Sequence, residues 1–206
     1  MRNNSVPVLF RACQVTCAVA LLTLAGCHVD TQKNNGDDKV NISTPFGGMS
    51  VKTNEQAVGA GVGLDVYPGA TLIQKHHEDG AADVNMSFGS FHLGVKALSY
   101  RTSDDPAKVL AFYRKQMTKF GTVIECRGEH PVSAPDTTQD GLTCSDEHQG
   151  HPQIHIDVDN QHLQLKAGSK RHQHIVAVSQ IDGYTKIGLV ALDLPGGFIN
   201  GDSSSQ

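Results

Sequence analysis

The chain of 206 residues contains no tryptophan, and aromatic residues make up only 5% of it. Any core it builds is therefore mostly aliphatic. Positive charge is also short: 17 Lys and Arg stand against 21 Asp and Glu, for a net charge of −4 and a pI near 6.2. A generic nucleic-acid binder presents a basic face, so that class is excluded. A hydrophobic content of 38% with 18% charged residues also excludes a collagen, a coiled coil and a polytopic membrane protein. Catalytic signatures are missing as well. The sequence has no G-x-S-x-G, no S-x-x-K, no P-loop and no H-E-x-x-H. Gly59, Gly61 and Gly63 do not meet the G-x-G-x-x-G spacing, and residues 57–64 read as a flexible joint. Asp104 and Asp105 are explained by helix capping. The chain reads as a non-enzyme, with a hydrolase using a non-standard site as one alternative.

What is present begins at the N-terminus. Arg2 and Arg11 precede an apolar segment over 12–25, and residues 1–26 contain no Asp or Glu. This is the three-part logic of a secretory signal, and the apolar segment is shorter than the about 20 residues that span a bilayer. It ends in Leu24-Ala25-Gly26-Cys27, which resembles the bacterial lipobox. The resemblance implies that Cys27 becomes lipid-modified and is the first residue of the mature chain. Several acyl chains give stable membrane association where one is marginal. Residue +2 is His28 rather than Asp, so the inner-membrane retention signal is missing, which points towards the outer membrane. Loss of Arg2 and Arg11 with the leader takes the net charge from −4 to −6. The anchor must then be the acylated Cys27 in the lipid bilayer, not attraction to anionic headgroups.

Cysteine usage follows from the compartment. Cys13 and Cys17 leave with the leader and Cys27 is acylated. Cys126 and Cys144 remain, and in an oxidising envelope an even pair is read as a disulfide.

The mature chain reads as an α+β protein, a mainly antiparallel sheet with one principal amphipathic helix. Residues 1–26 are the lipoprotein signal peptide, 27–39 a lipid anchor with a polar tether, 40–195 a single domain and 196–206 a disordered tail. Val40–Thr44 and Met49–Thr53 alternate around Pro45-Phe46-Gly47-Gly48, a hairpin pattern. Val84, Met86 and Phe88 alternate, as do Phe91, Leu93 and Val95, with Gly89-Ser90 between them as a two-residue turn. Leu98 and Tyr100 resume in the other phase, which predicts a bulge near Lys96-Ala97. The helix is predicted over 106–120: Asp105 is the N-cap, Pro106 the first helical residue, Val109, Leu110, Phe112, Tyr113, Met117 and Phe120 the apolar face, and Gly121 the stop. Further strands are expected at 122–126, 142–145, 153–158, 162–166, 173–181 and 185–193, the last two joined by a turn at Asp182-Gly183. Residues 187–192 are apolar on both faces, as a central strand requires.

Val66-Tyr67-Pro68-Gly69-Ala70, followed by Ser103-Asp104-Asp105-Pro106-Ala107-Lys108-Val109 and Phe112-Tyr113, resembles a pattern of uncharacterised bacterial envelope lipoproteins. The segment 40–48 resembles one upstream of it in some of them. The resemblance spans about 40–195 and rests on turn and helix-start features. It implies an envelope location and a shared fold, and no assigned activity. An unidentified envelope protein or ligand is the partner it leaves open, and nucleic acid is not one.

Histidine is the one excess, at 11 residues. His76 and His77 are adjacent, His148, His151 and His155 follow at spacings of three and four, and His172-x-His174 sits at the start of a strand. Residues i and i+2 of a strand share a face, so His172 and His174 can share a metal, and His155 has Asp157 and Asp159 beside it. Such ligands suit Zn²⁺, Cu²⁺ or Ni²⁺. A His-rich periplasmic metal-binding protein is thus the second alternative. The competing reading places these histidines on the wet face of a half-exposed sheet, with no cofactor.

Overall fold

The computed structural model describes residues 27–34, 37–73, 80–145 and 162–195. The molecule is mainly β, an antiparallel sheet carrying two helices. In chain order the strands are β1 (His28–Asn34), β2 (Asp37–Thr44), β3 (Gly47–Lys52), β4 (Thr71–Leu72), β5 (Ala81–Phe88) and β6 (Phe91–Thr102). They continue with β7 (Ile124–Arg127), β8 (His130–Pro131), β9 (Leu163–Gly168), β10 (His172–Ile181) and β11 (Tyr184–Asp193). Across the sheet the order is β1-β2-β3-β5-β6-β11-β10-β9-β7-β8, with β4 also on β6. The helices are α1 (Glu55–Val62) and α2 (Pro106–Met117), the latter extended by a 3₁₀ turn over Thr118–Phe120.

Helix α2 starts where its sequence predicts. The Asp105 carboxylate accepts from the Ala107 N–H at 2.7 Å, satisfying one of the amides that a helix N-terminus leaves without an intrahelical partner. Gly121 ends the 3₁₀ turn at φ 108°. The β10–β11 turn also forms as read, with Asp182 at φ 48° and Gly183 at φ 83°, the pair of positive values that a type I′ hairpin turn needs. β11 lies mid-sheet between β6 and β10, in line with its two apolar faces.

Four expectations are corrected. Within residues 28–39, read as a polar tether, 28–34 and 37–39 are strand: β1 pairs with β2 from His28↔Ser43 to Asn34↔Asp37. Backbone pairing needs no apolar side chains, so a polar ribbon gave no periodic signal. The Gly-rich joint is helix α1. Asn54 caps it by accepting from the Ala57 N–H at 2.7 Å, Val58 and Val62 one turn apart are fully buried, and Gly63 closes it at φ 72°. Glycine lowers helix propensity by about 1 kcal/mol per residue, and here tertiary packing overrides it. The stretch 142–145 is loop rather than strand, its pairing limited to a single bridge, Thr137↔Thr143. No bulge interrupts β6 at Lys96-Ala97, because pairing to β5 runs unbroken from Phe91↔Phe88 to Leu98↔Ala81. The change of phase has another cause, which lies in the two faces of the sheet.

Both helices lie on one face. α1 packs on β5, β6 and β11, and α2 on β9 and β10. Between them and the sheet sits the main core: Val58, Val62, Val109, Tyr113 and Met117 against Leu98, Tyr100, Leu165, Val176, Ile187 and Leu189. Each fully buried aliphatic side chain contributes about 1.5–3 kcal/mol. Buried phenols tie the layers together. Tyr113 Oη accepts from the Tyr67 N–H at 3.0 Å, Tyr67 Oη donates to Asp104 at 2.7 Å, and Tyr100 Oη donates to Glu55 at 3.0 Å. Burial pushes the pKa values of Tyr100 and Tyr113 up, and the hydrogen bond to Asp104 does so for Tyr67. These hydroxyls stay protonated across the physiological range and act as cross-braces. β6 therefore faces the helices with Leu98 and Tyr100, while Leu93, Val95 and Ala97 face the other way. The apolar side of the strand switches because the helix layer begins only partway along it.

Candidate functional site

Cys27 stands exposed, with a free thiol, immediately before β1. Strand register sets what surrounds it. Residues directly opposite in an antiparallel sheet share a face, and so do residues two apart along a strand. Val29, Ile42, Met49, Met86 and Leu93 form one cross-strand row over five strands. Thr31, Val40, Val51, Val84 and Val95 form the next. Thr44, Gly47, Phe88 and Phe91 form the row on the other side, and continuing the β1–β2 register places Cys27 at its end. These three rows lie on the face away from the helices and hold no ionisable side chain other than the Cys27 thiol. The opposite face of the same strands carries His28, Asp30, Asn41, Ser50, Lys52, Asp83, Asn85, His92 and Lys96. The ribbon is thus amphipathic across its thickness.

Its apolar face is half-buried over most positions and exposed at one end. Val29 is 59% exposed, Phe88 45% and Phe46, in the β2–β3 turn, 84%. The start of β1, the β2–β3 turn and the β5–β6 turn all fall at that end, so Cys27, Phe46 and Phe88 share one corner. The alternation within β2, β3, β5 and β6 was legible in the sequence, but that of β1 and the stacking of the rows required the register. Among the described residues no helix is long and apolar enough to cross a membrane.

Farther along the same face, Ile175, Val190 and Leu192 pack with Val95 and Ala97 as a second cluster. At its far end lies the cystine. Cys126 and Cys144 are bonded, with Cα atoms 5.6 Å apart. Both are buried and pack with Ile124. Under them is a residue that the sequence reading missed. Lys166 is fully buried, and its Nζ donates to the Cys144 carbonyl at 3.1 Å. Nothing local in the sequence of β9 marked it.

The histidine candidates separate. His148, His151 and His155, like His76 and His77, lie outside the described residues. His172 and His174 do share a strand face, but their rings are engaged differently. His172 Nδ1 pairs with Asp193 Oδ1 at 2.8 Å, at a well exposed position. His174 lies flat on Phe120, ring centroids 3.5 Å apart at 6°, and its Nδ1 is buried without a hydrogen-bond partner. No group of three or more His, Cys, Asp or Glu suited to a metal ion forms among the described residues.

Burial lowers the His174 pKa from its ordinary 6.5. The contact with the Val62 backbone and the Asp193 charge oppose the shift, and Lys119 and His172 add to it. The folded state therefore prefers the neutral ring, while the unfolded chain takes up a proton below about 6.5. The contribution of His174 is complete above that value and is lost as pH falls through it towards the lower folded pKa. Denaturant midpoints at pH 7.5 and 5 should show a smaller acid loss for His174→Phe, which keeps the stack, than for the wild type. Equal losses would remove His174 from the account.

Comparison with protein-family models, with curated proteins and with solved structures finds no match to this chain.

Proposed function

We propose that the chain is a bacterial envelope lipoprotein, held at the periplasmic face of the membrane, with the outer membrane favoured, by acyl chains on Cys27. It presents a non-enzymatic binding or structural module. The observation that carries the reading is Leu24-Ala25-Gly26-Cys27 at the close of an apolar leader that begins with Arg2 and Arg11 and lacks acidic residues. The state of the cysteines supports it: Cys27 is exposed and free, while Cys126 and Cys144 are bonded as an exported protein allows. The net charge of −6 after loss of the leader supports it too, since attraction to anionic lipid cannot replace the acyl chains. The module is an α+β domain whose principal helix is 106–120, and the resemblance to uncharacterised envelope lipoproteins belongs to this same reading.

Growth with radiolabelled palmitate tests it. The wild-type chain should carry label that resists extraction and denaturation, and Cys27→Ala should carry none. Label retained in the alanine variant, or absent from the wild type, defeats the assignment.

A further inference from the structure

The three apolar rows and the cysteine at their corner call for a common explanation. A sheet of this kind normally buries one face and wets the other. In β1, β2, β3, β5 and the first half of β6 it is the polar face that shares its side with the helices, while the apolar face is left open at the Cys27 end. Three of the five most exposed large hydrophobic residues, Val29, Phe46 and Phe88, belong to this ribbon. Scattered exposed hydrophobics need no explanation, but a contiguous patch marks a contact surface.

We propose that this face is a membrane-lying surface. With Cys27 acylated, Phe46 and Phe88 enter the boundary between headgroups and acyl chains, and the rows led by Val29 and Thr31 lie against it. The proposal rests on acylation of Cys27. Lipid is favoured over other occupants by position: Cys27 falls in the Phe88–Phe91 row, so its acyl chains leave the protein in the plane of that corner. A chain tethered there keeps the adjoining face within reach of the bilayer, and the exposed Val29, Phe46 and Phe88 select that face over the polar one. Chemistry agrees, since the three rows hold no charged side chain, and each Å² of apolar surface removed from water contributes roughly 25 cal/mol. Surfaces of this kind sit about 5–10 Å into the interface. Strand β1 and the first residues of β2, read in sequence as a polar tether, would instead help lay the domain on the membrane. The polar face, with Asp83, Asn85, His92 and Lys96, then points to the periplasm together with α1 and α2.

The test uses the full chain, produced with its own leader, extracted and reconstituted into phosphatidylcholine vesicles with or without brominated acyl chains. Single cysteines at Met49→Cys and Phe88→Cys report the apolar face, and Ser50→Cys and Asn85→Cys the polar face, each carrying an environment-sensitive fluorophore. Labels at 49 and 88 should shift to the blue and lose emission to bromine, unchanged by high salt, while those at 50 and 85 stay water-like. Mass spectrometry of the Cys27 peptide and flotation with the vesicles are read in parallel. If Cys27 is acylated and the protein floats, yet both faces remain unquenched and water-like, the anchor is a plain tether and the inference fails alone. Blue-shifted but unquenched labels at 49 and 88 mean that protein covers the face, either residues 196–206 or a second copy, and also overturn it. An unmodified Cys27 with no flotation removes both this inference and the lipoprotein reading.

Discussion

Replacing Lys166 with alanine is expected to lower the unfolding free energy by about 3–5 kcal/mol, combining a cavity of several methylenes with an unsatisfied buried carbonyl. The side chain is fully buried, and its Nζ donates to the Cys144 oxygen. It projects from β9 between Ile124 of β7 and Ile175 of β10, its register neighbours on either side. Truncation therefore opens space inside the sheet's second face, away from water. Lys166→Met separates the two contributions. It refills the volume and loses only the donor, so its cost should fall to about 1–3 kcal/mol. Urea denaturation of the two variants measures the difference. If alanine costs no more than methionine, the lysine is not filling space, and if both are neutral the burial has no energetic consequence.

The second large effect is loss of the cystine. Cys126 and Cys144 are separated by 18 residues, and closing a loop of that size should stabilise the fold by about 3 kcal/mol in the chain-entropy treatment. Cys126→Ala with Cys144→Ala should show that loss under non-reducing conditions, and reduction of the wild type should reproduce it. Neither site is independent of Lys166. The loop holds the Cys144 carbonyl over the ammonium, so freeing the loop lets that oxygen find water. Lys166→Ala should then cost less in the cystine-free background, with a coupling of about 0.5–3 kcal/mol in a double-mutant cycle. Strict additivity would mean that the loop and the lysine stabilise the fold separately.

These two features differ in how far they could be read in advance. The cystine followed from counting: with the expected leader and Cys27 set aside, two cysteines remain. Lys166 followed from nothing local, because the partner that accepts from its buried Nζ, the Cys144 carbonyl, lies 22 residues away in sequence. Helix α2 was legible end to end, since its cap, first proline, apolar stripe and terminal glycine all act within one segment. Helix α1 was not, because Gly59 and Gly61 argue against a helix until Val58 and Val62 are buried on β6. The candidate site divides the same way. Cys27 stands out by position in the chain, whereas His172 and His174 satisfied the same-face rule but were drawn apart by Asp193 and Phe120, partners remote in sequence.

The sequence by itself determined what local rules control: the capped helix at 106–120, the turns at Gly89-Ser90 and Asp182-Gly183, and the alternation within β2, β3, β5 and β6. Each of these depends on residues a few positions apart, where spacing and backbone preference suffice. The tertiary structure decided how those strands align, and so which alternating residues become one surface. Register alone turned Val29, Ile42, Met49, Met86 and Leu93 into a row. It put Cys27 at the corner with Phe88 and placed a polar segment read as a tether at the edge of the sheet. Cross-strand pairing is a contact between distant residues, and its energy is realised only when all the strands are in place.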